Sequence, residues 1–222
     1  WLSFKDRICQ SGNVAHRVLQ ESDSMSESTC QDISKWLIKH HLSDEKKESI
    51  KRRIEICRKH GFPVLQNPSD NLPKSDKVRK GNLAEIILAE YCCACTNAEL
   101  PVYRLHYSTN VNQSMPGDDV LAFDLDSNPI RVIVGEAKFR STPGKVAVQE
   151  TINALSRSYA NTVPVSLDFV ATRLRGEGKT ELADRVDKCY VLCETGKAQM
   201  NYVGLLVSNS NCATNVDRHG ES

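Results

Sequence analysis

The chain has 222 residues, of which 40% are hydrophobic and 26% are charged, and its formal net charge is +1 at pH 7. These proportions are typical of a folded globular protein and exclude a wholly disordered chain. No apolar run approaches the roughly 20 residues that span a bilayer, so no membrane association is expected. The near-neutral charge argues against a protein that coats nucleic acid by neutralising phosphates. It remains compatible with an enzyme that contacts few phosphates and relies on a partner protein for binding.

The nine cysteines do not form a recognisable disulfide or zinc framework. Cys92, Cys93 and Cys95 crowd one predicted helix end and cannot all face a single metal ion. Cys189 and Cys193 lack a second pair at zinc-ribbon spacing. We therefore predict free thiols in a reducing cytoplasm. Because the first residue is not Met and no signal-peptide pattern follows, we also expect further residues before it.

Residues 1 to about 72 are polar and are predicted to form a helical segment without strands. The segments Gln31 to His41 and Ser43 to His60 both have helical patterns. The second begins with Ser43 as an N-cap and ends just before Gly61, as helices commonly do. The run 67–73 is rich in Asn, Pro, Ser and Asp and is predicted to be a linker.

From about residue 75 the pattern changes to alternating helices and strands. Helices are predicted at Asp76 to Cys93, Val146 to Tyr159 and Glu177 to Val186. Strands are predicted at Val102 to Tyr107, Val120 to Leu125, Ile130 to Phe139, Leu167 to Thr172, Cys189 to Cys193 and Tyr202 to Val207. This order predicts an α/β domain over residues 73–210, with one mixed sheet flanked by helices. Residues 211–222 are predicted to be a flexible tail.

One Glu-x-Lys triplet follows a predicted buried strand. Of the three such triplets in the chain, those at residues 45–47 and 177–179 lie on predicted solvated surface. Alternation along the strand places Glu136 and Lys138 on the same core-facing side as Val132 and Val134. Charged groups in that position are costly unless they have a partner or a metal ion. An internal ion pair between Glu136 and Lys138 is the alternative to a catalytic role.

A second carboxylate is predicted to lie beside this pair. Asp119 opens the preceding strand, and the turn at residues 126–129 returns the chain antiparallel to it. Asp119, Glu136 and the backbone carbonyl of Ala137 would bind a hard divalent cation, Mg²⁺ or Mn²⁺. Such an ion polarises a phosphodiester and activates a water molecule, and Lys138 would orient that water or stabilise charge on the phosphate. The alternative for Asp119 is an ordinary turn residue.

A third acid and several polar residues complete the candidate site. Glu85 lies on an otherwise apolar helical stripe, so it either joins a buried hydrogen-bond network or faces the metal site. Lys80, Arg140 and Lys145 flank the motifs and are predicted to contact phosphates, the alternative being an ordinary charged surface.

Three segments resemble the successive motifs of PD-(D/E)xK nucleases, namely Gly81-Asn82-Leu83-Ala84-Glu85, Gly117-Asp118-Asp119-Val120 and Gly135-Glu136-Ala137-Lys138-Phe139. More narrowly, residues 75 to 207 resemble the nuclease subunit of Hachiman-type anti-phage defence systems, the HamA proteins, with the AbpA proteins as relatives. The resemblance implies a restriction-endonuclease-like fold, with Asp119 and Glu136 as metal ligands, Lys138 as a catalytic residue and Glu85 as an auxiliary acid. The usual Pro-Asp is replaced here by Pro116-Gly117-Asp118-Asp119. This leaves Asp118 or Asp119 as the ligand, and Asp119 is favoured because it abuts the strand.

The resemblance also implies an activity and a partner. The activity is Mg²⁺-dependent hydrolysis of phosphodiester bonds in DNA, and the partner is a superfamily 2 helicase that restrains the nuclease until invading DNA is sensed. In many such nucleases a polar helical residue in the place of Gln149 contacts the metal-bound water or the DNA, although a solvated position is the alternative. Two other functions remain open, a regulatory or assembly subunit that keeps the fold without catalysis and a restriction or repair endonuclease that acts alone.

Overall fold

The structure, a computed structural model, describes residues 2–7, 15–21, 24–63, 71–113 and 115–220. In chain order the elements are β1 (Leu2–Arg7), β2 (His16–Glu21), α1 (Glu27–His41), α2 (Asp44–Lys59), α3 (Asp76–Cys95), a 3₁₀ turn (Arg104–Tyr107), β3 (Val120–Asp124), β4 (Arg131–Phe139), α4 (Lys145–Ala160), α5 (Leu167–Gly176), α6 (Thr180–Glu194), β5 (Gln199–Val207) and α7 (Ala213–His219). No helix in these ranges is long and apolar enough to cross a membrane.

Strands β3, β4 and β5 form a three-stranded mixed sheet with β4 in the centre. Strand β3 pairs antiparallel to β4, with Val120 opposite Gly135. Strand β5 runs parallel to β4, with Gly204 beside Glu136. A parallel pair requires a long crossover connection, which α4, α5 and α6 supply. The predicted mixed α/β architecture and the hairpin between β3 and β4 are therefore confirmed.

The two faces of the sheet carry separate hydrophobic clusters. Helices α5 and α6 cover the face that carries Val132 and Val134. Helix α3 packs on the opposite face, against Ile133 and Ala137. The alternation of β4 thus directs successive side chains into different clusters. Glu136 and Lys138 follow Val132 and Val134 on the α5–α6 side, where the strand leaves the hydrophobic core.

Three of the predicted strands are wrong. Leu167 to Thr172 lies in α5, and Cys189 to Cys193 lies in α6. The buried positions of α5, among them Val170 and Leu174, recur every three or four residues, which is a helical period. Residues 102–107 contain the 3₁₀ turn rather than a strand.

The N-terminal part, residues 1 to about 72, contains two strands followed by two helices. Helices α1 and α2 are confirmed, and the Ser43 hydroxyl accepts a hydrogen bond from the Lys46 amide at 3.2 Å, as an N-cap does. The prediction of a segment without strands is wrong, because β1 and β2 form an antiparallel pair. Both strands are short and mostly exposed, so no alternation of buried residues marks them in the sequence. Of the predicted linker at 67–73, residues 67–70 lie outside the described part of the chain.

The C-terminal segment 211–222, predicted as a flexible tail, forms α7 over most of its length. Asp217 on this helix contacts His16 of β2 at 2.7 Å, so the helix and the N-terminal strand pair are in contact. The prediction of a tail without structure is wrong for residues 213–219. The eight cysteines in the described ranges are all free.

Gly135 lies where β4 packs tightly against β3 and α3. A Cβ atom at this position would be 2.9 Å from Leu88 Cδ2 and 2.9 Å from Val120 Cβ, closer than packed carbon atoms approach. We expect Gly135→Ala to lower the free energy of unfolding by about 1–3 kcal/mol, because α3 or β3 must shift. Urea denaturation measures this loss. The matched control is Gly81→Ala in α3, where, apart from the adjacent residues and the backbone of the helix itself, no described atom lies within 4 Å of the added Cβ.

Candidate active site

The register of β3 and β4 brings Asp119 beside Glu136. Val120 pairs with Gly135, so the residue before Val120 reaches the level of Glu136. The Asp119 carboxylate is mostly buried, and its Oδ2 atom accepts a hydrogen bond from the Ala137 amide at 2.9 Å. This bond continues the β3–β4 pairing by one side-chain contact.

Glu136 and Lys138 form an ion pair at the end of β4. The distance between Lys138 Nζ and Glu136 Oε1 is 2.5 Å, and the side chains are 28% and 16% exposed respectively. Both groups therefore remain accessible from one side while the sheet holds their backbone. The same contact is the ion pair that the alternative interpretation predicts, so the pair by itself does not decide between the two roles.

Asp118 and Asp119 have different surroundings. The buried Asp118 carboxylate accepts hydrogen bonds from the Ser166 amide at 2.9 Å and the Ser158 hydroxyl at 3.2 Å. The Asp118 amide donates to Ser166 Oγ at 2.8 Å. Asp118 thus joins the loop before β3 to α4 and to the start of α5. Gly117 allows this contact, since its φ is +105° and a Cβ atom there would lie 2.7 Å from Ser166 Oγ.

Glu85 extends from α3 to the same cluster of acids. No donor in the described part of the chain hydrogen-bonds to its Oε2 atom, which lies 4.0 Å from Arg104 Nε. Burial and the neighbouring Asp119 charge raise the pKa of Glu85 to about 8, with Arg104 acting in the opposite direction. Burial and the charge of Glu136 also raise the pKa of Asp119. Burial and a neighbouring carboxylate therefore both disfavour ionisation of Glu85 and of Asp119.

Arg104 is a site residue that nothing local in the sequence indicates. It lies in the 3₁₀ turn, within a run predicted as a strand, and its side chain is 13% exposed. Its Nη1 atom lies 3.3 Å from Asp119 Oδ1 and also donates to the Asp118 carbonyl, while Nη2 donates to the Met115 carbonyl. Only the folded path of the loop before β3 brings these acceptors together.

The residues predicted to contact nucleic acid divide into two groups. Lys80 and Arg140 each contact Phe139. Lys80 Nζ lies 5.3 Å from the centroid of its ring, and Arg140 Nη1 donates to its backbone carbonyl at 2.9 Å. Both have acidic partners, Asp76 for Lys80 and Glu150 for Arg140. Lys145 and Gln149 lie in the first turns of α4, and Gln149 donates to Asn153 at 3.2 Å.

A cavity of ≈ 330 Å³ adjoins the acids on the α3 and α5 side of the loop before β3. Apolar side chains, including Ile86, Leu121 and Phe169, form most of its wall. Glu85, Arg104, Asp118 and Asp119 contribute its charged groups. The acids are therefore partly screened from water, which strengthens their mutual interactions.

The oxygen atoms of the site fit a hard divalent cation in part. Asp119 and Glu136 present carboxylates from adjacent strands, and the Glu85 Oε2 atom lacks a donor in the described ranges. Mg²⁺ and Mn²⁺ prefer such oxygen ligands and keep several water molecules. Across the described residues, however, no three His, Cys, Asp or Glu side chains are grouped to hold a metal ion by themselves. A cation at this site would need water or backbone oxygen atoms to complete its coordination.

The raised pKa of Glu85 predicts a pH dependence of stability. Its value of about 8 exceeds the ordinary 4.5, so the folded protein binds this proton more tightly than the unfolded chain. The stabilisation is complete below about pH 4.5 and is lost as the pH rises to about 8. We expect Glu85→Gln to reduce the loss of unfolding free energy between pH 5 and pH 8 by roughly 3 kcal/mol.

Urea denaturation in EDTA at several pH values measures this difference. The control is Glu48→Gln on α2, because that carboxylate is 56% exposed and forms a surface ion pair with Lys51. Parallel stability curves for Glu85→Gln and the wild type would contradict the assignment.

Comparison with known proteins places the chain in a family. A sequence model of the family described as HamA matches residues 1–222. The Hachiman protein HamA of Bacillus cereus is 37% identical over 219 residues, which cover 99% of this chain and 78% of that protein. These matches agree with the narrower resemblance found in the sequence motifs. The chain therefore belongs to the HamA family.

Proposed function

We propose that the chain is a metal-dependent nuclease that hydrolyses phosphodiester bonds in DNA, with Asp119, Glu136 and Lys138 at its centre. The observation that carries the proposal is the meeting of Asp119 and Glu136 on adjacent strands, with the Lys138 ammonium 2.5 Å from the Glu136 carboxylate. Glu85 adds a third acid that lacks a hydrogen-bond donor in the described ranges. Burying several carboxylates together lowers the stability of a fold unless a partner or a metal ion offsets the cost, so this grouping favours a functional role.

The fold supports a PD-(D/E)xK assignment without deciding it. The strand pair β3–β4 carries the acids and the lysine in the order of the family motifs, and α3 carries Glu85 against the same sheet. A restriction-endonuclease-like domain is therefore part of the proposal. A fold can host several functions, so a cleavage assay is the test of this part of the proposal.

Asp119 and Glu136 would hold the divalent cation, with Glu85 as an auxiliary acid and the Ala137 backbone beside them. When bound, such an ion polarises the phosphodiester and lowers the pKa of a water molecule. Lys138 then orients the attacking water or stabilises negative charge that develops on the phosphate. The Ala137 amide fixes the Asp119 carboxylate through its 2.9 Å hydrogen bond. Hydrolysis forms a bond from water oxygen to phosphorus and breaks the bond to the leaving oxygen, which takes up a proton.

A role in anti-phage defence follows from the family. The relative in Bacillus cereus is called a Hachiman protein, and the sequence motifs resemble nuclease subunits of Hachiman-type systems. We extend the proposal to a superfamily 2 helicase partner. The net charge of +1 supports this, because phosphate contacts dominate the affinity of proteins that bind DNA unaided. Lys80, Arg140, Lys145 and Gln149 are the proposed direct contacts with DNA.

The test is cleavage of supercoiled and linear plasmid by the purified chain, with Mg²⁺ or with EDTA, alone and with its helicase partner. We expect cutting that requires Mg²⁺ and that the partner controls. Sequence-selective or lesion-selective cutting without the helicase would favour a stand-alone endonuclease. No cutting in any of these conditions would favour the regulatory or assembly subunit and contradict the proposal.

A further inference from the structure

We propose that Arg104 is a positioning residue that holds the Asp119 carboxylate against β4. The inference rests on the proposed function, because it assigns a role within the same site. Arg104 lies outside the strand pair and outside the three sequence motifs. Its guanidinium nevertheless contacts Asp119 directly and reaches within 4.0 Å of Glu85.

Both carboxylate oxygens of Asp119 are directed by a donor. The Ala137 amide donates to Oδ2 at 2.9 Å, and Arg104 Nη1 lies 3.3 Å from Oδ1. The first donor belongs to β4, while the second comes from the 3₁₀ turn on the other side of the carboxylate. Together they set the rotation of the carboxylate about its Cβ–Cγ bond, and with it the direction of the remaining lone pairs.

The same guanidinium also fixes the backbone that carries Asp119. Arg104 donates to the carbonyls of Met115 and Asp118, and its Nη1 atom lies 3.5 Å from the Gly117 carbonyl. A planar guanidinium can serve several acceptors at fixed angles, whereas a lysine ammonium supplies a compact charge on a flexible stem. Arg104 therefore holds both the loop before β3 and the Asp119 carboxylate with one guanidinium. A positive charge without the planar shape of the guanidinium would not make all of these contacts.

A purely structural role is the alternative, and the chain offers a matched control for it. Ser166 anchors the same loop from the side of α5, through two hydrogen bonds with Asp118 and none with Asp119 in the described chain. Ser166→Ala removes one of these bonds and loosens the loop without removing the Arg104 contact. Arg104→Lys keeps the positive charge and removes the planar guanidinium that contacts several acceptors.

Amide hydrogen exchange at Ala137 reports the position of Asp119 without metal or DNA. We expect exchange at Ala137 to become about 10-fold faster in Arg104→Lys, because the carboxylate no longer holds the amide steadily. Exchange elsewhere in β4 reports whether the sheet remains folded. In Ser166→Ala we expect Ala137 to exchange within about 2-fold of the wild type. Arg104→Gln repeats the test with an uncharged side chain.

Two further measurements connect the position of Asp119 with the site. We expect Arg104→Lys to weaken Mn²⁺ binding, followed by electron paramagnetic resonance, and to lower kcat about 10-fold with KM within about 2-fold. Ser166→Ala should leave both quantities near the wild type. Such a difference between the variants is not expected if Arg104 only stabilises the loop.

Two results would overturn the proposal. One is an Ala137 exchange rate in Arg104→Lys and Arg104→Gln equal to that of the wild type. The other is an equal change in Arg104→Lys and Ser166→Ala, which would reduce Arg104 to a support of the loop. A wild-type protein that neither binds Mn²⁺ nor cuts DNA would contradict the proposed function, while the Ala137 exchange rates would still decide the role of Arg104.

Discussion

Replacing Glu136 with Gln is expected to lower the rate of Mg²⁺-dependent DNA cleavage by roughly 10²–10³-fold. The amide keeps the size of the side chain and can still accept a hydrogen bond from Lys138, but it loses the negative charge that binds a cation. Asp119 would then be the remaining carboxylate of the two proposed metal ligands. The measurement is the initial rate of supercoiled plasmid cleavage with Mg²⁺ and with the proposed helicase partner present.

The control for this experiment is Glu48→Gln, the same chemical change at an exposed position on α2. It should cut DNA at the wild-type rate, since Glu48 lies outside the site. Thermal unfolding of both variants separates a loss of catalysis from a loss of fold. Cleavage by Glu136→Gln at the rate of the Glu48→Gln control would remove Glu136 from the catalytic centre and leave it as one half of an ion pair with Lys138.

Shortening Leu174 to Ala is expected to lower the free energy of unfolding by roughly 2–5 kcal/mol. Leu174 is fully buried in α5 and belongs to the cluster beneath Val132 and Val134 of β4. The cost combines the lost transfer of the side chain from water with the cavity left in a close-packed core. Urea denaturation followed by circular dichroism measures it.

Val191→Ala is the matched control. This side chain lies on α6, the helix that follows α5, and it is 61% exposed. It should change the free energy of unfolding by less than about 0.5 kcal/mol. A loss below about 1 kcal/mol in Leu174→Ala would contradict the packing of α5 on the sheet. The two substitutions together test whether Leu174 is packed in the core while Val191 faces solvent.

The strand pair that carries the site was predictable because its signals are local. The apolar run from residues 130 to 134 and the turn at 126–129 predict a hairpin. Once the hairpin is drawn, the two-residue period of a strand places Asp119 opposite Glu136, with Lys138 on the same side as Glu136. The position of these groups was therefore predictable, although their chemistry remains a proposal.

Helix α5 and the second half of α6 were not predictable from short windows, whereas the first half of α6 lies within the helix predicted at Glu177 to Val186. Leu167, Phe169 and Ala171 fit the period of a strand, whereas Leu167, Ala171 and Leu174 fit the period of a helix. Both periods describe the same few apolar residues, and packing against the sheet decides between them. A longer window that included Leu174 would have favoured the helix.

Arg104 could not be predicted because its role depends on distant parts of the chain. Its acceptors lie 11 to 15 residues away, on a loop of irregular backbone, and Glu85 lies on a separate helix. Neither residue spacing nor local periodicity records such contacts. The paired strands β1 and β2 were missed for a related reason, since their mostly exposed side chains leave no hydrophobic pattern.

The most direct test of the proposed centre is anomalous X-ray diffraction from crystals of the protein grown with Mn²⁺. The account predicts an anomalous difference peak within coordination distance of the Asp119 and Glu136 carboxylates, and its loss in Glu136→Gln crystals. A peak that survives the substitution, or no peak at these carboxylates in the wild type at saturating Mn²⁺, would contradict a metal-dependent centre formed by Asp119 and Glu136.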